Sequence, residues 1–180
     1  PEWTRKKGTF AWEKDLQPVY AWFNGVSSQY LLGDRMNPQR VTNLNQPQGN
    51  RLDPRAKIYP FKLMRGKQPY DKQAEILAVP KLYGETGLWG NGYDWQGALQ
   101  EGMSAVGLDY SGQYGFAETA AWWRLNHMVA PIDRALACVD CHAKDGSGRL
   151  DWQALGYETD PAHERGVSRY ELKAAYQDLD

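Results

Sequence analysis

The string ALACVDCHAKDG, residues 135–146, holds both cysteines of the 180-residue chain and one of its three histidines. Two residues separate Cys138 from Cys141, and His142 follows directly. This C-x-x-C-H spacing is typical of covalent haem attachment, in which two thiols bond to the vinyl groups of a porphyrin and the adjacent imidazole binds the iron. The string therefore predicts haem c, with Cys138 and Cys141 as cofactor-binding residues and His142 as an axial iron ligand.

Two other uses of the same residue types compete with haem. A C-x-x-C disulfide does not need the following histidine, and no thioredoxin-like β-α-β pattern surrounds this pair. A zinc site would need a second pair of ligands. The chain has no other cysteine, and its remaining histidines, His127 and His163, are far apart in sequence. Haem is the interpretation that uses all three residues of the string.

The residues before the motif indicate how it is positioned. Pro131 suits the first turn of a helix. The apolar residues from 132 to 139 recur at helical spacing. On one continuous helix Cys138, Cys141 and His142 stand at positions i, i+3 and i+4 and lie on one face. The spacing therefore predicts a helix that runs from Pro131 through the motif.

Four further segments carry helical signals, and the last of them follows a capping box formed by Ser168 and Glu171. Asp71 can cap residues 72–79, and Asp94 can cap residues 95–106, with Gly107 as the end of that helix. A third stripe at helical spacing consists of Phe116, Ala120, Trp123 and His127.

Extended structure is expected mainly near the N-terminus. Asn24 and Gly25 stand between two apolar runs and predict a β-hairpin turn. Residues 36–54 are typical of a surface connection, and Pro60 confines residues 56–64 to a sheet edge or a path outside a sheet. The helical segments and the hairpin signal together predict a mainly α fold with a small N-terminal β-hairpin, and the 18 glycines and 10 prolines indicate long irregular loops.

Composition limits the partners of the chain. The net charge is −1 and there is no basic stripe with interleaved aromatics, so we expect no nucleic-acid partner. The longest apolar stretches fall well short of the roughly 20 residues that span a bilayer, so we expect no transmembrane segment. No repeat or composition break divides residues 1–180, which are expected to form a single haem-binding segment.

Several separated blocks carry a family resemblance. AWFNG, AKIYPFKLMRGKQPYD, YSGQYGFAET, WWRLNHMVAP and RALACVDCHAKDGSGRLDWQALGY together resemble the C-terminal part of the octahaem tetrathionate reductase family of multihaem c-type cytochromes. The resemblance runs in order from about Tyr20 to Tyr157. It implies that this region carries the last haem motif of an octahaem architecture. The earlier motifs are absent here, so the chain is expected to be one part of a split or longer product.

The resemblance also implies a functional context. The family reduces tetrathionate, nitrite or hydroxylamine at a haem with a lysine ligand in its N-terminal portion, which this chain lacks. We therefore predict no catalytic residue and no independent enzymatic activity. The expected function is electron transfer within a multihaem assembly, with other haem-bearing polypeptide as partner. The alternative is a portion of a multihaem reductase whose active haem lies on another segment. Covalent attachment takes place outside the cytoplasm, so a periplasmic or extracellular location is expected.

His127 becomes a second candidate axial ligand through the same resemblance, because it lies within a matching block. If a tight turn at residues 129–131 joins two antiparallel helices, His127 lies about 10 Å along the axis from His142, at about 1.5 Å per residue. That distance favours a neighbouring haem, and a looser turn allows the local one. His163 and the thioethers of Met64, Met103 and Met128 are weaker candidates.

Four aromatic residues are expected to pack around the porphyrin, although packing in an ordinary protein core explains them nearly as well: Trp122, Trp123, Trp152 and Tyr157.

Overall fold

The computed structural model describes residues 2–4, 8–10, 16–126, 130–143 and 145–162. The strands are β1 (Glu2–Thr4), β2 (Gly8–Phe10), β3 (Val19–Phe23), β4 (Ser27–Gln29), β5 (Thr42–Pro47), β6 (Lys57–Asp71), β7 (Ile76–Leu77) and β8 (Tyr114–Arg124). The helices are α1 (Trp95–Ala105), a 3₁₀ turn at Ile132–Arg134 and α2 (Cys138–Cys141). No helix in these ranges has both the length and the apolar character that a bilayer crossing requires.

A six-stranded sheet dominates the fold. Its strand order is β3-β6-β8-β5-β4, and β7 pairs with β6. β3 and β6 are antiparallel, with Val19 opposite Phe61 and Phe23 opposite Lys57. β1 and β2 form a separate antiparallel pair. The expected mainly α fold is therefore wrong, and the chain is mainly β.

The segment from 114 to 124 shows why the helical prediction failed. Its apolar residues fit a helical stripe, but the segment forms β8. Ala117 and Thr119 are buried, while Phe116 before them and Glu118 between them are exposed. This alternation is the two-residue period of a strand. Pairing with neighbouring strands outweighs the helix propensity of the alanines.

Of the other three segments predicted to be helical, the last lies outside the described residues, and the first two had different outcomes. α1 is confirmed: the Asp94 carboxylate accepts a hydrogen bond from the Gly97 N–H, and Gly107 follows the helix with a φ of +72°. The segment after Asp71 forms a turn and the short strand β7. The Asp71 carboxylate does accept hydrogen bonds from the N–H groups of Gln73 and Ala74, as a helix cap would. However, Glu75 has a φ of +54°, which a helix does not tolerate.

The predicted hairpin is wrong although both of its strands exist. Gly25 has the left-handed φ that the turn requires, +98°, but β3 pairs with β6 and β4 lies next to β5. Two further expectations fail. Residues 36–54 contain β5, and Pro60 lies inside β6, which has β3 on one side and β8 on the other.

Contacts divide the chain into two compact units. The first unit comprises Pro1–Leu16, Gln29–Leu44 and Arg65–Ala121. One of its cores joins α1 to the segment around β7: Ile76, Ala78, Leu99 and Met103. Leu99 and Met103 of α1 are therefore fully buried within this unit.

The second unit comprises Gln17–Ser28, Asn45–Met64 and Trp122–Asp180, and it contains the C-x-x-C-H motif. Its core consists of Trp22, Ala56 and Leu155. Leu150, Trp152 and Tyr157 pack against this core. The Trp22 indole N–H donates a buried hydrogen bond of 2.8 Å to the Leu155 carbonyl. Trp22 on β3 thus anchors the 150–157 segment that follows the motif.

We expect Trp22→Phe to lower the free energy of unfolding by roughly 1 to 3 kcal/mol, because it leaves the Leu155 carbonyl without this buried donor. Chemical denaturation followed by fluorescence measures the change. Trp123→Phe is the matched control, since Trp123 is 58% exposed; it should change stability by no more than about 0.5 kcal/mol. Equal effects of the two variants would contradict the anchoring role of Trp22.

Candidate functional site

The C-x-x-C-H motif lies on a single helical turn and not on the long helix that its flanks predict. Residues 132–134 form a 3₁₀ turn, and Ala135 and Ala137 are extended. α2 then begins at Cys138, and the Asp140 carboxylate accepts a 2.7 Å hydrogen bond from the Ala137 N–H. The His142 N–H donates to the Cys138 carbonyl at 2.9 Å. The two cysteines and the histidine are therefore held close together by the backbone.

Both thiols are free in this structure. Cys138 is exposed, and Cys141 is half-buried. Within the described ranges, no group of three or more histidine, cysteine or acidic side chains is arranged to hold a metal ion by itself. The thiols are thus available for bonding to another molecule.

The imidazole of His142 is held on one edge and one face. Its Nδ1 atom lies 2.6 Å from Oδ1 of Asp160. The ring stacks on Trp152, with ring centroids 4.9 Å apart and planes 16° from parallel. A carboxylate on Nδ1 fixes the tautomer that carries its proton there. This leaves the lone pair of Nε2 for a metal ion.

Trp152 stacks on the imidazole, and Tyr157 packs against Trp152. The Trp152 indole N–H donates to the Cys141 carbonyl at 3.3 Å, and Tyr157 contacts the Trp152 ring edge to face at 5.5 Å. The guanidinium of Arg51 lies 4.3 Å from the Tyr157 ring centroid, and it also donates to the Gly156 carbonyl. The 150–157 segment therefore supplies the aromatic residues that pack behind the His142 ring, with Trp152 in contact with it and Tyr157 one layer further away.

Trp122 and Trp123, the other two aromatic residues expected at the porphyrin, do not belong to this aromatic packing at His142. Trp122 packs edge to face against Phe61 and exchanges hydrogen bonds between its backbone and the Asn45 side chain. Trp123 is exposed. Trp152 and Tyr157 are thus at the motif, whereas Trp122 is part of the sheet packing.

A cleft of about 640 Å³ lies beside α2. Its lining includes Cys141, Gly148, Arg149, Trp152, Glu158 and Asp160. A Cβ on Gly148 would lie 2.6 Å from the Cys141 carbonyl oxygen, so only glycine allows this close approach. The Arg149 N–H donates to the Asp140 carbonyl at 2.8 Å. In the preceding loop, hydrogen bonds from the Ser147 hydroxyl and N–H hold the pKa of Asp145 below its usual value.

His127, His163 and Met128 lie outside the described residues, so their roles as ligands stay predictions. The helical geometry used to place His127 is wrong, however, because residues 114–124 form a strand and residues 132–134 a 3₁₀ turn. Met103 is fully buried in the α1 core and Met64 is 42% exposed. Met103 therefore packs as an ordinary core residue.

Asp160 is the site residue that sequence reasoning missed. It lies 18 positions after His142, in a polar stretch where a solvated carboxylate is the default expectation. The signal for its role is its distance from Nδ1, which the sequence does not show.

The donor set fits a covalently bound iron porphyrin. Two free thiols stand one helical turn apart, and the imidazole that follows them has its Nδ1 engaged and its Nε2 available. This combination defines the class of c-type cytochromes.

Comparison with known proteins agrees with that class. The sequence profile described as "Cytochrome c bacterial" matches residues 1–145. The chain belongs to this bacterial cytochrome c family. No curated protein matches the sequence.

The fold is similar to that of a solved structure, octaheme cytochrome c from Shewanella oneidensis. The two sequences are 48% identical, the TM-score is 0.85, and the match covers 92% of this chain but 38% of that one. The chain thus spans well under half the length of that octahaem protein. The predicted resemblance to multihaem c-type cytochromes is confirmed, as is haem c as the covalently bound cofactor. Haem-based electron transfer is the function of this class.

The exposure of the two thiols predicts different reactivities in the reduced chain prepared without haem. Cys138 should be alkylated several-fold faster than Cys141, because a half-buried thiol is less accessible to reagent. Mass spectrometry of peptides after timed alkylation measures both rates, and the unfolded chain, where the rates should converge, is the control. Faster modification of Cys141 in the folded chain would contradict the geometry of α2.

Proposed function

We propose that this chain binds one haem c through thioether bonds from Cys138 and Cys141, with His142 as an axial iron ligand, and passes electrons within a multihaem assembly. The observation that supports this proposal best is the 2.6 Å contact between Nδ1 of His142 and Asp160. It leaves Nε2 as the nitrogen available to iron, on a residue that directly follows the second of two free thiols in the chain. The family membership of the chain supports the same reading.

The attachment would consume only the two thiols and the two vinyl groups of the porphyrin. Each S–H adds across one vinyl double bond, so that a carbon–sulfur bond forms and the thiol hydrogen ends on the other vinyl carbon. Atoms and electrons balance without an external oxidant. The turn of α2 keeps both sulfur atoms near His142, and the same short segment therefore supplies both covalent bonds and one iron ligand.

His127 is proposed as an axial ligand of this haem or of a neighbouring one. A haem with two histidine ligands has no open iron position for a substrate, so its role is to transfer electrons. Its reduction potential is then set by its ligands, by their hydrogen bonds and by burial.

The partner proposed for this chain is other haem-bearing polypeptide. The apolar residues Leu99 and Met103 of α1 are fully buried inside the first unit and are not available to such a partner. The apolar residues beside the motif are a better candidate surface: Ile132 is 92%, Leu136 51% and Val139 70% exposed. The similar solved chain is much longer and is described as octahaem, which supports a partner that carries further haems. A periplasmic or extracellular assembly follows from c-type attachment.

A second candidate function is that the assembly is a reductase of tetrathionate, nitrite or hydroxylamine, with its active haem on another segment. The specific support is the match to less than half of an octahaem chain, which leaves the remaining haems outside this segment. Assays of the purified assembly with each acceptor and a reduced dye discriminate the two functions. Turnover of one acceptor would establish the reductase, and its absence with intact haem reduction would leave electron transfer alone.

The Cys138→Ala, Cys141→Ala double variant should lose its covalent haem completely, because no other cysteine is present in the sequence. Haem staining of denatured protein on a gel measures the loss. Each single variant retains one thiol and should keep a reduced amount of covalent haem. Release of haem from the unmodified protein by acidified acetone would contradict thioether attachment.

His127→Ala should convert one low-spin haem of the assembly to high-spin, because the iron loses a strong-field ligand, while covalent attachment stays intact. Visible absorption and electron paramagnetic resonance (EPR) spectra measure the change. His163→Ala is the comparison variant and should leave the haem spectra of the assembly unchanged. If His127→Ala leaves the spectra unchanged, the proposed ligand role of His127 is wrong.

A further inference from the structure

Asp160 is the group that holds the candidate iron ligand, and no part of the electron-transfer function described above uses its charge. Its Oδ1 lies 2.6 Å from Nδ1 of His142 and also accepts a 2.9 Å hydrogen bond from the Ala162 N–H. The Asp160 side chain is only 11% exposed. The residue lies beyond the part of the chain that the family profile matches, residues 1–145.

We propose that Asp160 is a positioning residue that lowers the reduction potential of the haem bound by His142. This inference rests on the proposed function, because it requires iron on Nε2 of His142. A carboxylate that accepts a hydrogen bond from the Nδ1–H group increases the electron density of the imidazole and its basicity toward a metal. The ferric state carries one more positive charge than the ferrous state, so the stronger donor stabilises the ferric state more.

Burial makes this electrostatic effect larger than it would be in water. Because the Asp160 side chain is mostly shielded, its charge is screened less than that of an exposed carboxylate. Trp152 holds the face of the imidazole, which keeps Nδ1 directed at Oδ1. Asp160 therefore acts on the iron through a ligand whose orientation is fixed by a separate contact.

Glu158 provides a matched control two residues away. It is exposed and lines the same cleft, yet the contact with Nδ1 of His142 belongs to Asp160. Asp160→Asn and Glu158→Gln each remove one negative charge without changing side-chain size. If negative charge near the haem acts in a general way, the reduction potential should rise in both variants. If the effect passes through His142, the potential should rise mainly in Asp160→Asn.

The test is a potentiometric titration of the purified haem-loaded assembly, followed by absorption and EPR spectra. The haem to follow is the one whose signal changes in His142→Ala. At a fixed ambient potential, Asp160→Asn should lower the ferric-to-ferrous ratio of that haem by about tenfold, equivalent to about 59 mV for one electron. Its ferric EPR g values should shift as well, and Glu158→Gln should change the ratio less than about threefold.

Equal changes in Asp160→Asn and Glu158→Gln would overturn the proposal. If His142→Ala changes no haem signal, the proposed function itself fails, and this outcome is distinct from the first. Should Asp160→Asn not accumulate with haem, Asp160→Glu serves as the second variant, because it keeps the charge and displaces the carboxylate by one methylene. Shifted g values in Asp160→Glu would support the proposal, and unchanged g values would overturn it.

Discussion

The contact between Nδ1 of His142 and the carboxylate of Asp160 joins a one-turn helix to a loop 18 residues further along the chain. α2 has four residues, and a helix of that length is not stable in isolation. Its position depends on contacts with residues that follow it. The Trp152 indole reaches the Cys141 carbonyl, and the Arg149 N–H reaches the Asp140 carbonyl. The geometry of the thiols and the imidazole is therefore determined by tertiary contacts with the segment that Trp22 anchors.

The local part of this site was predictable and the distant part was not. Cys138, Cys141 and His142 could be assigned from spacing alone, because their chemistry requires them to be adjacent in the chain. Asp160 could not be assigned in this way. A carboxylate in a polar stretch is usually solvated, and its proximity to Nδ1 follows only from the turns that bring residues 150–160 back to α2. Trp152 was expected near the cofactor, but its stacking on His142 is likewise a tertiary result.

The fold shows the same division between local and non-local information. α1 was predicted correctly because its signals are local: the Asp94 cap, the buried face and Gly107 beyond its end. β8 was assigned wrongly because its apolar residues also fit a stripe at helical spacing, whereas its alternation of buried Ala117 and Thr119 with exposed Phe116 and Glu118 is stabilised by neighbouring strands. The pairing of β3 with β6, more than 30 residues later, was equally inaccessible. An Asn-Gly turn signals that the chain reverses but does not show which strand becomes the partner.

In an electron-transfer site, the packing around an iron ligand should keep that ligand in the same position in both oxidation states. When the iron changes oxidation state, its bonds should change little, because each rearrangement of ligands adds to the barrier. The imidazole of His142 is fixed at Nδ1 by Asp160 and on one face by Trp152, and Trp152 is itself held by Cys141 and Tyr157. Under the proposed function, these contacts resist rotation or displacement of the ligand in either oxidation state. A rigid axial histidine suits a haem that exchanges electrons, and with His127 as the proposed second ligand such a haem would have no open iron position for a substrate. In a multihaem reductase, this segment would therefore supply electrons to an active haem elsewhere.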